Sequence, residues 1–188
     1  MSTRLTLICH AGMPPRRAVG FWRDDPADPD QFARAAGLAP GLGRVERLWT
    51  APERRARQTA GMLGADPAVV AALRDCDFGR WQGRALADIQ AASPEDAAAW
   101  LSDVGAASHG GESLLDVLKR VGRMLDGHRE PGHTVAVTHP TVIRAAVVHC
   151  LGAPPQALWR IDVEPLSVTD LRRHHERWTL RSVGRTPA

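Results

Sequence analysis

Short apolar runs separated by turn-forming residues recur along the chain and predict a series of strands. Each run has the length of a buried strand and is bounded by glycine, proline or polar residues. The predicted strands cover residues 5–9, 45–50, 69–73, 134–138, 159–163, 167–171 and 177–182. The last two are joined by a hairpin-like turn with the sequence RRHH.

Segments typical of helices lie between several of these strands. The predicted helices cover residues 31–36, 53–63, 93–101, 112–125 and 142–151. The second of them follows Pro52, and proline is favoured in the first turn of a helix. In the fourth, apolar residues recur at the spacing of one helix face, which predicts packing on a sheet. These residues are Leu115, Leu118, Val121 and Leu125.

The alternation of strands and helices predicts the fold class. It indicates an α/β protein built as a three-layer sandwich, with a mainly parallel central sheet that can carry an antiparallel edge. A length of 188 residues suits a single domain that spans residues 1–188.

Composition narrows the class of protein further. The formal net charge is +3, but the arginines are spread along the whole chain, so we expect no nucleic-acid partner. No window approaches the roughly 18 apolar residues of a membrane helix, and the run at 5–9 is shorter than the apolar core of a secretory signal. We therefore expect a cytoplasmic protein without a membrane partner. The three cysteines have no disulfide or zinc spacing, so reduced thiols and no metal are expected.

Two histidines stand directly after predicted strands. His10 follows the first strand, and His139 follows the strand at 134–138. Because open α/β sheets bind ligands outside the carboxyl ends of their strands, neighbouring strands would bring both imidazoles into one crevice. An arginine in the helix after the second strand could hold an anion there with its forked guanidinium. Arg55 is a candidate, but position alone does not distinguish it from Arg54 and Arg57, and all three could lie on a solvated helix face.

Four segments of the chain carry recognisable motifs. They are ICHA at 8–11, APERRARQTA at 51–60, LRDCDFGRWQG at 73–83, and GGES at 110–113 followed by VAVTHPTVIRA at 135–145. In this order they resemble the histidine phosphatase superfamily, which has the phosphoglycerate mutase-like fold. The corresponding family segments are Arg-His-Gly, Ser-Pro-Leu-x-Arg-Ala-x-Gln-Thr-Ala, Leu-x-Glu-x-x-Phe-Gly-x-Trp-Glu-Gly and the block with the second histidine. The resemblance covers nearly the whole chain.

The resemblance implies a role for each matching residue. His10 would be the nucleophile that becomes phosphohistidine, Arg55 the phosphate clamp, and His139 a second donor to the phosphate. Asp75 stands where the family has its glutamate and would donate a proton to the leaving oxygen. Asp77 is an alternative acid two residues away, and both aspartates could instead form a turn.

The chain departs from the family pattern at three positions. Cys9 replaces the arginine before the nucleophile, Ala11 replaces the following glycine, and Asp75 is shorter than glutamate. A thiol is a weak donor and is neutral near pH 7. Losing one charge-stabilising donor costs roughly 10²–10³ in rate. Cys9 still lies where the family grips phosphate, so we count it among the substrate-binding positions.

Other residues near the motifs admit two interpretations each. Arg16 or Arg17 could fold back over a phosphate in compensation, with Arg17 preferred, or both could be solvated loop charges. Trp22 could line a leaving-group pocket or belong to the core, whereas Phe78 and Trp81 are expected in the core.

The combined prediction is a phosphomonoester hydrolase that acts on a small phosphorylated metabolite through phosphohistidine. It would need no metal or cofactor, because cationic side chains neutralise the phosphate. Its activity would be weakened or redirected by loss of the first arginine. Two alternatives stay open: altered acid–base chemistry by His10 and Asp75 on another substrate, and a non-catalytic anion-binding module. Homo-oligomerisation is also left open.

Overall fold

A computed structural model describes residues 3–14, 19–64 and 66–185 of the chain. Its strands are β1 (Thr3–Cys9), β2 (Gly20–Phe21), β3 (Arg47–Thr50), β4 (Ala68–Val69), β5 (Arg84–Ala85), β6 (Gly132–Thr138), β7 (Val168–His174) and β8 (Arg177–Arg185). Its α-helices are α1 (Phe32–Ala36), α2 (Ala39–Leu42), α3 (Arg54–Gly61), α4 (Leu86–Ala92), α5 (Pro94–Ser102), α6 (Leu114–Gly127) and α7 (Pro140–Leu151). Short 3₁₀ helices cover Pro29–Gln31, Ala71–Leu73, Gly79–Trp81 and Pro155–Arg160.

Six of the strands form the central sheet in the order β4-β3-β6-β1-β7-β8. The first four run parallel, β7 is antiparallel to β1, and β8 is antiparallel to β7. The mainly parallel sheet with an antiparallel edge is therefore confirmed. β1 and β6 are almost entirely buried, as expected for strands that are covered on both faces.

The order of the strands explains why helices cover both faces of the sheet. The chain moves in one direction from β1 through β3 to β4, and in the opposite direction from β4 to β6. Because parallel crossovers are right-handed, this reversal places α3 on one face and α6 on the other, where α7 packs beside it. The reversal also opens a crevice at the carboxyl ends of the central strands.

Helix α6 starts two residues later than predicted, because Ser113 caps it. The Ser113 side chain accepts from the Asp116 backbone N–H, and the Asp116 carboxylate accepts from the Ser113 N–H, which forms a capping box. Of the predicted apolar face, Val121 and Leu125 are fully buried. Glu112 is thereby left outside the helix.

Several sequence-based predictions of elements are wrong. Residues 159–163 are not a strand, because Pro154 and Pro155 start the 3₁₀ helix Pro155–Arg160. The predicted strand at 69–73 is reduced to the end of β4 and a 3₁₀ turn. The RRHH hairpin turn is displaced, since β7 continues to His174 and the chain reverses at His175, whose φ is 53°. The sequence analysis also missed α2, α4 and the two-residue strands β2 and β5.

The described residues contain no helix that is long and apolar enough to cross a membrane.

Candidate active site

His10 and His139 meet at the carboxyl ends of β1 and β6. Cys9 lies opposite Thr138 in the parallel register, so the next residue of each strand leaves the sheet at the same level. The His10 backbone N–H donates to the Thr138 carbonyl at 2.9 Å. The two imidazole centroids are 4.9 Å apart, and both rings are buried. The structure thus brings the two histidines into one crevice.

Arg55 enters this crevice from the first turn of α3. Its side chain is 6% exposed, whereas Arg54 and Arg57 are exposed residues. Helix phase therefore selects Arg55 from the three arginines. Its Nε donates to His10 Nε2 at 3.2 Å, and its Nη2 lies 3.2 Å from His139 Nδ1.

The hydrogen bonds of His10 define its tautomer. Nδ1 lies 2.7 Å from the Ala11 carbonyl, which can only accept, so Nδ1 carries the proton. Nε2 keeps its lone pair and accepts from Arg55. Burial lowers the pKa of His10 to about 3, and the charges of His139 and Arg55 act in the same direction. His10 is therefore neutral near pH 7 and carries a lone pair that faces the crevice.

Asp75 is paired with the arginine of the site. Its Oδ2 accepts from Arg55 Nη2 at 2.8 Å and lies 3.3 Å from His139 Nδ1. Its Oδ1 accepts from the Cys76 N–H. Asp77, the alternative acid, is exposed, and its carboxylate accepts from the Gly79 N–H within a turn. The geometry places Asp75 in the site and gives Asp77 a turn role.

A buried arginine on α6 holds the segment that carries Asp75. Arg120 Nη1 donates to the carbonyls of Ala72 and Arg74, and Nη2 donates to the carbonyl of Asp75 at 3.3 Å. The same guanidinium pairs with both carboxylate oxygens of Glu112, at 3.0 and 2.9 Å. Sequence analysis missed this arrangement, because it joins residues far apart in the chain.

Glu53 is a second residue of the site that sequence analysis missed. Its Oε2 lies 2.7 Å from His139 Nε2, and its Oε1 accepts from the Asp75 N–H at 3.0 Å. Burial alone would raise the pKa of Glu53, but the hydrogen bond and charge of His139 outweigh it and lower that pKa to about 2. One feature of the sequence could have identified Glu53, because it is an acidic residue at the position where the similar family segment has leucine.

Cys9 is fully buried at the end of β1, and its backbone is bonded to the segment just before β7. Its N–H donates to the Ser167 carbonyl, and its carbonyl accepts from the Leu166 N–H. Burial and the nearby Asp75 carboxylate raise the pKa of the thiol to about 12. Cys9 thus provides a neutral group, neither a cation nor a thiolate. Arg16 and Arg17 lie outside the described residues, so the compensation expected of them stays a prediction.

A cavity of about 300 Å³ opens onto Arg55 and Asp75. Trp22 and Phe78 line it, and a contact of Trp22 with the leaving group stays a prediction. Phe78 packs against the core as expected and also lines this cavity, and Trp81 is buried as expected. Among residues 3–14, 19–64 and 66–185, no cluster of three or more histidine, cysteine or acidic side chains is arranged to hold a metal ion.

Comparison with known proteins identifies the family. The model of the histidine phosphatase superfamily (branch 1) matches residues 5–186. The chain therefore belongs to the histidine phosphatase superfamily.

Individual relatives agree with this family. The chain is 32% identical over 191 residues to the bifunctional protein Rv2228c of Mycobacterium tuberculosis. The matched region covers 89% of the chain but only 50% of that relative. It is 30% identical over 156 residues to a glucosyl-3-phosphoglycerate phosphatase of Mycolicibacterium vanbaalenii, covering 66% of the chain and 69% of the relative. The structure of a mycobacterial glucosyl-3-phosphoglycerate phosphatase superimposes with a TM-score of 0.81 at 27% identity, covering 98% and 99% of the two chains.

Proposed function

We propose that the protein hydrolyses phosphomonoesters of small metabolites through a phosphohistidine at His10. The observation that carries the proposal is the convergence of His10, His139 and Asp75 on the guanidinium of Arg55, at 3.2, 3.2 and 2.8 Å. These four side chains come from separate segments, and together they supply a nucleophile, cationic donors and an acid. The names of its relatives support a small phosphorylated substrate.

The first step transfers the phosphoryl group to the enzyme. The lone pair of His10 Nε2 attacks phosphorus, the Nε2–P bond forms, and the bond from phosphorus to the ester oxygen breaks. Arg55 and His139 hold the equatorial oxygens, and binding of the phosphate replaces Asp75 as the partner of Arg55. Asp75, released from Arg55, takes up a proton from solvent as the substrate binds and delivers it to the departing alkoxide.

The second step regenerates the enzyme. Asp75, now a carboxylate, takes a proton from a water molecule that attacks phosphorus, and the Nε2–P bond breaks. Inorganic phosphate leaves, and His10 returns to its Nδ1-protonated form. Cationic side chains provide the charge neutralisation in both steps, so we expect turnover to persist in excess EDTA.

Trapping the intermediate tests the proposal. The purified protein is mixed with a phosphomonoester carrying ³²P, such as labelled 4-nitrophenyl phosphate, and quenched in alkali, which preserves phosphohistidine. We expect label on the wild type and on the control His175→Ala, since His175 lies in an exposed turn, and no label on His10→Ala. An unlabelled wild type that still binds vanadate would contradict hydrolysis and support an anion-binding module. An unlabelled wild type that also fails to bind vanadate would favour acid–base chemistry on another substrate.

A further inference from the structure

Cys9 stands where the family carries an arginine, so the site lacks one positive charge. The pairing of Glu53 with His139 could replace that charge. Among the described residues that contact His10, Arg55 is the only arginine, and Cys9 contributes no charge. A phosphoryl group in transfer spreads negative charge over its oxygens, and catalysis depends on neutralising it. The imidazole of His139 could supply a second positive charge if it held two protons.

We propose that Glu53 is a positioning residue that keeps His139 as an imidazolium with its Nδ1–H directed at the phosphate, replacing the charge of the arginine that the family carries at the position of Cys9. This proposal rests on the proposed function and deepens its account of the same site.

The geometry fixes which nitrogen faces the substrate. Glu53 is ionised and its oxygen can only accept, so the 2.7 Å contact requires a proton on His139 Nε2. Because Nε2 donates to Glu53, Nδ1 is the nitrogen of His139 that faces the crevice. It lies 3.2 Å from a donor, Arg55 Nη2, and 3.3 Å from an acceptor, Asp75 Oδ2. Nδ1 can therefore hold either a lone pair or a proton.

The charged neighbours of His139 decide when it gains that proton. The acidic neighbours, Glu53 and Asp75, favour the imidazolium, while Arg55 and a protonated His10 would oppose it. In the free site Nδ1 lies between Arg55 Nη2 and Asp75 Oδ2, and its protonation sets which of the two contacts is a hydrogen bond. Once Arg55 and Nδ1 both face a phosphate anion, the imidazolium is favoured and its Nδ1–H becomes a donor. The carboxylate stabilises this state from the far side of the ring without approaching the phosphate.

Glu53 also couples His139 to the acid. Its second oxygen accepts from the Asp75 backbone N–H at 3.0 Å, so one carboxylate fixes both the orientation of the imidazole and the backbone of the proton donor. Glutamine offers only one acceptor oxygen and cannot satisfy both donors as an anion does.

The pH dependence of anion binding tests the role without requiring turnover. Vanadate affinity is measured from pH 5 to 9 for the wild type, Glu53→Gln, and the control Glu95→Gln, whose side chain is exposed on α5. If the Glu53 carboxylate holds the imidazolium, the pH at which affinity falls should be lower in Glu53→Gln than in the wild type and unchanged in the control. ¹⁵N NMR of the histidine rings should show His139 protonated at both nitrogens in the vanadate complex of the wild type.

Two results would overturn the proposal. One is a pH profile that Glu53→Gln lowers uniformly without displacement, which is what loss of structure alone would give. The other is a neutral His139 ring in the wild-type complex. Failure of the wild type to form phosphohistidine, with vanadate still bound and His139 doubly protonated, would contradict only the proposed hydrolysis.

A double-mutant cycle adds a readout specific to the missing arginine. Glu53→Leu should lower phosphatase activity about tenfold or more in the wild type, but much less in Cys9→Arg, where a guanidinium is restored. Equal losses in the two backgrounds would contradict the compensation. Since Cys9 is buried, Cys9→Arg is first checked for folding, and the vanadate profile decides the question if that variant does not fold.

Discussion

Asp75 and Arg55 form an ion pair 2.8 Å long at the point where the substrate's phosphate is proposed to bind. The Asp75 carboxylate would therefore compete with the substrate's phosphate for the guanidinium of Arg55. If Asp75 is the proton donor of the proposed reaction, the same carboxylate weakens phosphate binding and is needed for turnover.

The first prediction follows from this competition. Asp75→Asn should bind vanadate or inorganic phosphate more tightly than the wild type, because Arg55 is released from its ion pair. The same variant should lose roughly 10²–10⁴ in turnover of alkyl phosphates, which need protonation of the leaving oxygen. Calorimetric titration and steady-state kinetics measure the two effects. Asp77→Asn is the matched control and should change neither; weaker anion binding by Asp75→Asn would contradict the competition.

The second prediction concerns the buried Arg120. Arg120→Met leaves Glu112 without its buried partner and frees three backbone carbonyls, so it should lower the free energy of unfolding by about 3–5 kcal/mol. Arg74 pairs with the same Glu112 but is 41% exposed, and Arg74→Met should cost at most about 1 kcal/mol. Urea denaturation compares the two variants. Equal losses would show that the carbonyl contacts do not hold the Asp75 segment.

The third prediction concerns stability in acid. The pKa of His10 is lowered in the folded state, so the unfolded chain binds the extra proton first and stability falls as the pH drops below about 6.5. Burial also lowers the pKa of His109, His128 and His133, which contribute in the same direction. His10→Asn removes one of these groups. Its free energy of unfolding should fall less steeply between pH 6.5 and 4, by up to about 1.4 kcal/mol per pH unit.

Thermal or urea unfolding at a series of pH values supplies that slope. His175→Asn, an exposed substitution, should keep the wild-type slope. A His10→Asn slope identical to that of the wild type would contradict the buried, neutral histidine.

The fourth prediction concerns the reactivity of the Cys9 thiol. Because burial raises the pKa of its thiol to about 12, Cys9 should resist iodoacetamide in the folded protein at pH 8. Cys9→Ala should retain activity within a few-fold, because a buried, neutral thiol contributes no charge to the site; a large loss would support the prediction that Cys9 is a substrate-binding position. Mass spectrometry after labelling, with and without denaturant, gives the first measurement. Rapid labelling of native Cys9 would contradict a buried, neutral thiol.

The sequence was sufficient to predict the strands that carry the two histidines. Residues 5–9 and 134–138 are short apolar runs that end at His10 and His139, and hydrophobic patterning alone defines such buried parallel strands. Position in the chain did not distinguish Arg55 from its neighbours; the resemblance to the family segment did, and the burial of Arg55 on α3 agrees with that choice.

The residues that were missed depend on contacts between distant segments. Glu53 and His139 are in contact although 86 positions separate them in the sequence, and Arg120 contacts the Asp75 carbonyl over a separation of 45 positions. The incorrect strand at 159–163 has a local cause, since its apolar residues follow two prolines that start a 3₁₀ helix. Periodicity reports which face of an element is buried, but it does not report which element covers that face.

One hydroxyl joins the two halves of the site. Thr59 Oγ1 donates to the Arg55 carbonyl at 2.8 Å and accepts from the Ala11 N–H at 2.9 Å. The segment that follows β1 and the helix that carries the guanidinium are thereby tied to a single oxygen atom, although 48 positions separate Ala11 from Thr59. This shared oxygen links the backbone beside His10 to the helix turn that holds Arg55, so the spacing between these two side chains depends on Thr59 as well as on the sheet.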